Sequence, residues 1–342
     1  MYLFCILLPA FINRKKKRDY LSIESCTSLR GIAAIGIVLH HISERIQGDS
    51  FFRWLAVIGY ILVSYFFFLS GYGLMAQYRE KKDVYIGGFL RKRVLYLVII
   101  YLLDIALYAL FDALMGKPHT IGEIFKSILV SGIARNSWYM IVLIGVNFVF
   151  WIVFTGFRST TENFKIFCIF LVQMFFAVCC VVFDISPIWY YSNFGFTAGM
   201  LYFNYQSAID KQLERRYAVP FIAIVFFYCV FYFVPSLIER FSTGGFTFLI
   251  RTICRLLSSP MSAVLIVILS YRFNPFTVLW KKIGELSLEI YLLHGLVFSF
   301  LRSNVLFVQS DMLWTVLTVA ISILFAIPAH WLNKRIALLC KR

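Results

Sequence analysis

Ser28-Leu29-Arg30-Gly31-Ile32-Ala33-Ala34-Ile35-Gly36-Ile37-Val38-Leu39-His40-His41 is an apolar run whose ionisable side chains are Arg30 near its start and two histidines at its end. Extended to 27–46, it has the ~20 residues a helix needs to cross a hydrocarbon core of ~30 Å. Nine comparable runs follow, at about 54–77, 93–115, 137–156, 166–184, 189–206, 218–236, 247–271, 283–301 and 311–331. Over 342 residues, 61% are hydrophobic and 15% charged, against ~45–50% and ~25% in a soluble domain. The expected fold is all-α and integral to the membrane, a bundle of about ten transmembrane helices. Ten helices take up ~200 residues, so no sizeable soluble domain is expected at either end. Two runs depart from the pattern: the sixth is short and rich in Gly and Tyr, and the eighth carries Arg251 and Arg255.

The net charge of +16 falls at the borders of the apolar runs, where it fixes orientation and meets lipid headgroups, so the expected partner is the bilayer and not nucleic acid. Alternate loops sort the charges. One set, with Arg14 to Arg18, Arg79/Lys81/Lys82, Arg91/Lys92/Arg93, Lys211/Arg215/Arg216, Lys281/Lys282 and the C-terminal tail, holds 24 of the 33 basic residues. The other set, among them Arg45, Arg53, Lys117 and Arg302, holds nine. The positive-inside rule then places both termini in the cytoplasm, with an even number of crossings. Residues 1–26 read as a basic cytoplasmic or interfacial segment, 27–332 as the transmembrane domain and 333–342 as a basic cytoplasmic tail. The apolar Met1–Ile12 run precedes its positive cluster, the reverse of a secretory signal, and is too short to span. The eight cysteines show no CxxC spacing, so neither a disulfide framework nor a metal site is expected.

Ionisable groups inside spans belong toward protein or water, because an Arg in hydrocarbon costs ~2.5–3.5 kcal/mol. At ~100° and ~1.5 Å per residue, Arg30 and His41 lie ~20° apart on one face and ~16 Å apart in depth, with His40 ~80° off that face. Either Arg30 snorkels to lipid phosphates and a histidine satisfies a core hydrogen bond, or an anchor and a base share the face. Ser70, Gly71 and Gly73 in the second run allow a close helix contact or a break that presents backbone amides to a ligand. Arg91-Lys92-Arg93 is either ordinary cytoplasmic punctuation or a phosphate clamp. Trp138 and Tyr139 open the fourth run at the outer face. In the ninth run, Glu289, Tyr291 and His294 occupy an otherwise apolar helix. Counted from the cytoplasmic ends, His41 lies ~21 Å in and His294 ~15 Å in, both near mid-depth.

These pieces together resemble membrane acyltransferase family 3, the bacterial O-acyltransferases of surface glycans. The resemblance rests on Arg30 with ten residues before His41, Phe-Phe-Leu-Ser-Gly-Tyr at 67–72 and Arg-Lys-Arg at 91–93. Ser-Trp-Tyr at 137–139, Phe-Gly-Phe-Thr-Ala-Gly-Met at 194–200 and Gly-x-x-Ser-x-x-x-Tyr-Leu-x-His at 284–294 complete it, over roughly residues 19–332. It implies a ten-helix bundle in the bacterial cytoplasmic membrane and an acyl-CoA donor, most simply acetyl-CoA, as substrate rather than resident cofactor. It also implies an acceptor hydroxyl on a cell-surface or lipid-linked polysaccharide, with polysaccharide-assembly proteins as further partners. Arg30 and His41 take the catalytic places; Arg91, Lys92, Arg93, Ser70 and Gly71 the donor-binding ones; Trp138, Tyr139, Glu289, Tyr291 and His294 the substrate cavity. The chain departs where the family often continues the basic run with another arginine and a proline, having Tyr96-Leu97, so the choice between Arg91 and Arg93 stays open. Ile144-Gly145-Val146-Asn147 replaces a usual Glu-Gln-Phe-Tyr-like stretch, and no carboxylate is assigned there. Two other readings compete: a transporter of an anionic or lipid-linked solute, using the same buried groups as relays, and an assembly scaffold. The first lacks an inverted repeat and paired broken helices; the second leaves the buried ionisable groups without a purpose.

Overall fold

The computed structural model describes residues 20–46, 54–130, 132–241, 244–273 and 277–341. The Met1–Ile12 segment and the Arg14–Arg18 cluster lie outside them. The chain forms α1 (Ile23–Ser43), α2 (Gly59–Gly87), a π-helical turn (Leu90–Leu95) continuing into α3 (Tyr96–Leu114), α4 (Ile121–Val130), α5 (Trp138–Gly156) and α6 (Glu162–Val182). Then follow α7 (Phe194–Arg216), α8 (Ala218–Ile238), α9 (Gly245–Arg272), α10 (Val278–Glu285), α11 (Ser287–Phe300) and α12 (Asp311–Lys341). The chain is all-helical among the described residues, apart from an isolated β-bridge between Arg302 and Phe307.

Eight helices are long and apolar enough to cross a membrane, and nine if the bent pair α10–α11 is one span. The ten expected runs thus need two corrections. The ninth is not straight: α10 and α11 meet at 70°, because α10 lies against the start of α1, where Gly31 faces the Trp280 carbonyl and Gly284 faces that of Thr27. A Cβ at either glycine would collide with backbone. The sixth run does form a helix, α7, but one whose second half is polar (Asn204, Gln206, Asp210, Lys211, Glu214). α7 lies parallel to α2 along its length: Gly195 sits on Ser64, Gly199 on Phe68, and the Tyr72 hydroxyl donates to Gln206 at 2.7 Å. Close backbone approach through small residues is how helices associate where lipid removes the hydrophobic drive. α8, by contrast, buries little and turns Val219, Ile222, Phe226 and Phe233 outward, as a lipid-facing helix should.

Charged residues gather at the ends of the helices. At one end Arg79 bonds Glu162, the Lys165 ammonium reaches the Arg158 carbonyl at 3.3 Å, and Lys281 pairs with Glu24 at 2.9 Å. At the other, Arg45, Lys117, Arg135 and Arg302 surround one cavity.

Candidate functional site

α1 is uninterrupted from Ile23 to Ser43, capped by the Ser22 hydroxyl, which accepts from the Ser25 amide at 3.2 Å. Arg30 and His41 therefore keep the shared face that helical spacing predicts. The depth differs from expectation. His41 is in the last turn of α1, so it stands toward the Arg45 end of the bundle instead of at mid-depth, because the helix starts and stops about three residues earlier than its hydropathy suggests.

His41 lies against His294, ring centroids 5.2 Å apart and nearly parallel at 17°. Its Nδ1 is 3.1 Å from Glu44 Oε2. A carboxylate accepts only, so Nδ1 is the donor, and in the neutral ring Nε2 keeps its lone pair. Burial pushes the Glu44 carboxyl up, but the His41 hydrogen bond and the charges of His40, His41 and Arg45 outweigh it and hold the group below the usual carboxylate range. His40 shares Glu44, its Nε2 lying 3.5 Å from Oε1, while its Nδ1 meets the Leu55 carbonyl at 3.1 Å and its ring fills the space left by Gly59. His294 is fully engaged, with Nδ1 donating to the Tyr291 carbonyl at 2.6 Å and Nε2 accepting from Asn136 Nδ2 at 3.4 Å. The same three groups, His40, His41 and Glu44, bring potential metal-ligand atoms within 4.8 Å of one another, which a hydrogen-bonded histidine–carboxylate pair beside a second histidine also produces.

A column of aromatic side chains leads away from this pair. Tyr291 donates its hydroxyl to the Asn136 carbonyl at 2.8 Å and meets Tyr139 edge-on at 5.0 Å, and Tyr139 packs on Phe67 at 5.0 Å. Trp138 flanks Tyr139. The Tyr139 hydroxyl lies in the field of both Arg93 and Arg30. Arg93 donates from Nε to Asn147 Oδ1 at 3.2 Å and reaches Ser70 Oγ at 3.4 Å. Arg30 donates to Thr27 Oγ1 at 3.0 Å. Among the described residues, neither guanidinium meets a carboxylate within ion-pair distance.

Of the three adjacent cations, the structure turns Arg93 inward and leaves Arg91 and Lys92 exposed. The π-helical turn that carries them inserts an extra residue and rotates the register; such turns recur at functional sites. Of the two readings of Ser70–Gly73 the structure shows the close helix contact, since α2 runs through it without a break and departs from helical geometry only at Lys82. Ser70 meets Arg93, while Gly71 lies against the Phe196 carbonyl as a helix contact. Glu289 is drawn away from the histidine pair: its Oε1 accepts from His330 Nδ1 at 3.0 Å and Asn333 Nδ2 at 2.8 Å, both on α12. Three partners escaped the sequence reading. Glu44 stands three residues after His41, a spacing that could have signalled it; Asn147, in the stretch without a carboxylate, holds Arg93; Asn136, at φ 63°, ties His294 and Tyr291 together.

No curated protein and no solved structure matches the chain. The family described as Acyltransferase domain, acyltransferase family 3, matches residues 23–331, a range that contains Arg30, His41, Glu44, Arg93, Asn147 and His294. The chain belongs to the membrane acyltransferases of family 3.

Proposed function

We propose that the protein transfers an acyl group, acetyl in the simplest case, from cytoplasmic acyl-CoA to a hydroxyl of a cell-surface or lipid-linked polysaccharide. The observation that carries this reading is the column joining two guanidiniums held only by neutral partners, Arg30 and Arg93, to a histidine whose Nδ1 is fixed and whose Nε2 is free. Guanidiniums without a carboxylate suit the phosphates of CoA. From Arg30 to His41 is ~16 Å along α1, a distance for the extended pantetheine arm to bridge.

At the far end, His41 Nε2 takes the proton of the acceptor hydroxyl as its oxygen attacks the thioester carbonyl. The tetrahedral intermediate collapses, the C–S bond breaks, and the departing CoA thiolate receives the proton from the imidazolium, giving ester and free CoA. Glu44 stabilises the imidazolium in between.

The same reading sets the topology: the end bearing Arg79, Lys165 and Lys281 faces the cytoplasm, α7 crosses beside α2 as a further span, and the chain crosses ten times with both termini inside a bacterial cytoplasmic membrane. The parallel course of α2 and α7 supports this, since spans two and six of an alternating chain run the same way.

The test is transfer of labelled acetyl from acetyl-CoA to glycan in membranes with matched expression. His41→Ala should lower turnover ~10²–10⁴-fold, while His40→Ala should keep most of it. Wild-type turnover in His41→Ala, or loss confined to His40→Ala, would overturn the assignment.

A further inference from the structure

Arg45, Lys117, Arg135 and Arg302, with Asp112 as the one carboxylate among the lining residues, face a cavity of about 610 Å³ at the end of the bundle opposite Arg79. That volume lies in the range of small-molecule sites. Asp112 stands 3.7 Å from Arg135 but is also shared with His119 at 2.9 Å. Arg302 is paired with Asp311 and stacked on Trp314. Lys117 has no carboxylate within ion-pair distance among the described residues. Burial lowers the Arg45 guanidinium from its ordinary pKa, with Glu44 opposing and the Arg135 charge reinforcing the shift. Arg45 and Lys117 are exposed and Arg135 and Arg302 half-buried, and like charges gathered around one cavity are costly unless an anion joins them.

Two of these cations touch the backbone beside the histidine pair. Arg45 lies on the Phe298 ring at 4.1 Å and donates to the His41 carbonyl at 2.6 Å. Arg135 reaches the carbonyl of Gly295, the residue after His294, at 3.4 Å. An anion bound by both is fixed relative to His41.

We propose that this cavity seats an oxyanion carried by the acceptor, so that the substrate is an acidic glycan: a sugar bearing a carboxylate, or one joined to its lipid by a diphosphate. The proposal rests on His41 being the base. The coupling of Arg45 and Arg135 to the residues around the base favours an acceptor over a bilayer headgroup, which would need only peripheral charge. Arginine forks fit either oxyanion.

The experiment uses the full chain in phosphatidylcholine nanodiscs and measures binding of methyl glucuronide, methyl glucoside and farnesyl-diphosphate-linked glucose. One or both acidic probes should bind about ten- to a hundred-fold tighter than the neutral glucoside, the worth of one or two charge-assisted hydrogen bonds. Lys117→Gln and Arg135→Gln should each bring that ratio down several-fold, and Arg135→Lys should restore part of it. Which acidic probe is preferred identifies the source of the charge. Equal binding of acidic and neutral sugars by the wild type overturns the proposal. So does the absence of acidic-sugar binding in discs where added phosphatidylglycerol protects the cavity, which would assign the cations to lipid. If Arg135→Gln fails to fold, Lys117→Gln, which breaks no ion pair among the described residues, together with the wild-type ratio, decides the matter. Failure of the catalytic reading shows separately, as acidic-sugar binding that persists while acetyl transfer does not depend on His41.

Discussion

Glu44→Gln removes one charge and almost no volume, and it probes the histidine pair where the geometry is most specific. Glu44 Oε2 lies 3.1 Å from His41 Nδ1 and accepts its hydrogen bond. As His41 takes the acceptor proton it becomes a cation, and the bond becomes charge-assisted. Such bonds contribute ~1.5–3 kcal/mol. The Glu44 side chain is 47% exposed, so solvent screening reduces the gain to roughly 1–2 kcal/mol. Through the transition-state relation this is about a five- to thirty-fold loss in kcat for Glu44→Gln. Glu44→Ala, which also frees the ring to turn, should lose more. Glu44 lies at the end of α1 away from Arg30, so KM for acetyl-CoA should stay within about twofold. The assay is single-turnover transfer of labelled acetyl at saturating acceptor, with acetyl-CoA varied to separate kcat from KM. Wild-type kcat in Glu44→Gln, or a loss confined to KM for acetyl-CoA, would refute the carboxylate–imidazole coupling.

The donor end separates residues that are adjacent in sequence. Arg93→Gln and Asn147→Ala should weaken acetyl-CoA binding about tenfold or more and severalfold respectively, whereas Arg91→Gln and Lys92→Gln should each cost less than about threefold; equal losses at Arg91 and Arg93, read by isothermal titration, would contradict the inward turn of Arg93. Glu289→Ala should lower stability by ~1–3 kcal/mol, because it leaves His330 and Asn333 unpaired on α12, while KM for acetyl-CoA is unchanged; a normal melting temperature with lost transfer would instead place Glu289 in catalysis. Glu44 also predicts a pH dependence. Its folded value is depressed, so its contribution to stability is fully present above the ordinary carboxylate range and disappears as pH falls through the folded value. The stability difference between wild type and Glu44→Gln should therefore be full at neutral pH and vanish in acid; a gap that widens on acidification would reverse the sign.

The sequence determined what depends on near neighbours along the chain. Apolar runs of spanning length are local, and so is the ~20° offset that sets Arg30 and His41 on one face; both survive in α1. The grouping of basic residues at two ends was legible because each apolar crossing must exchange one end for the other. The sixth run departs from the pattern already in its composition, and its helix continues into a polar half in which Asn204 and Gln206 bond side chains of α2 while Lys211 and Glu214 stay exposed; hydropathy cannot tell lipid from a neighbouring helix. Tertiary structure alone decided which polar groups meet. Arg93 was distinguished from Arg91 by a π-helical turn and by Asn147, which is remote in sequence. Glu289 was claimed by α12 rather than by the histidines. His41 met His294 because α10 packs on Gly31 and turns α11 by 70°, so that the ninth run delivers its histidine to the last turn of the first. Helical periodicity fixes the face a side chain occupies, but the partner across from that face comes from a distant segment, and only the packing of the bundle selects it.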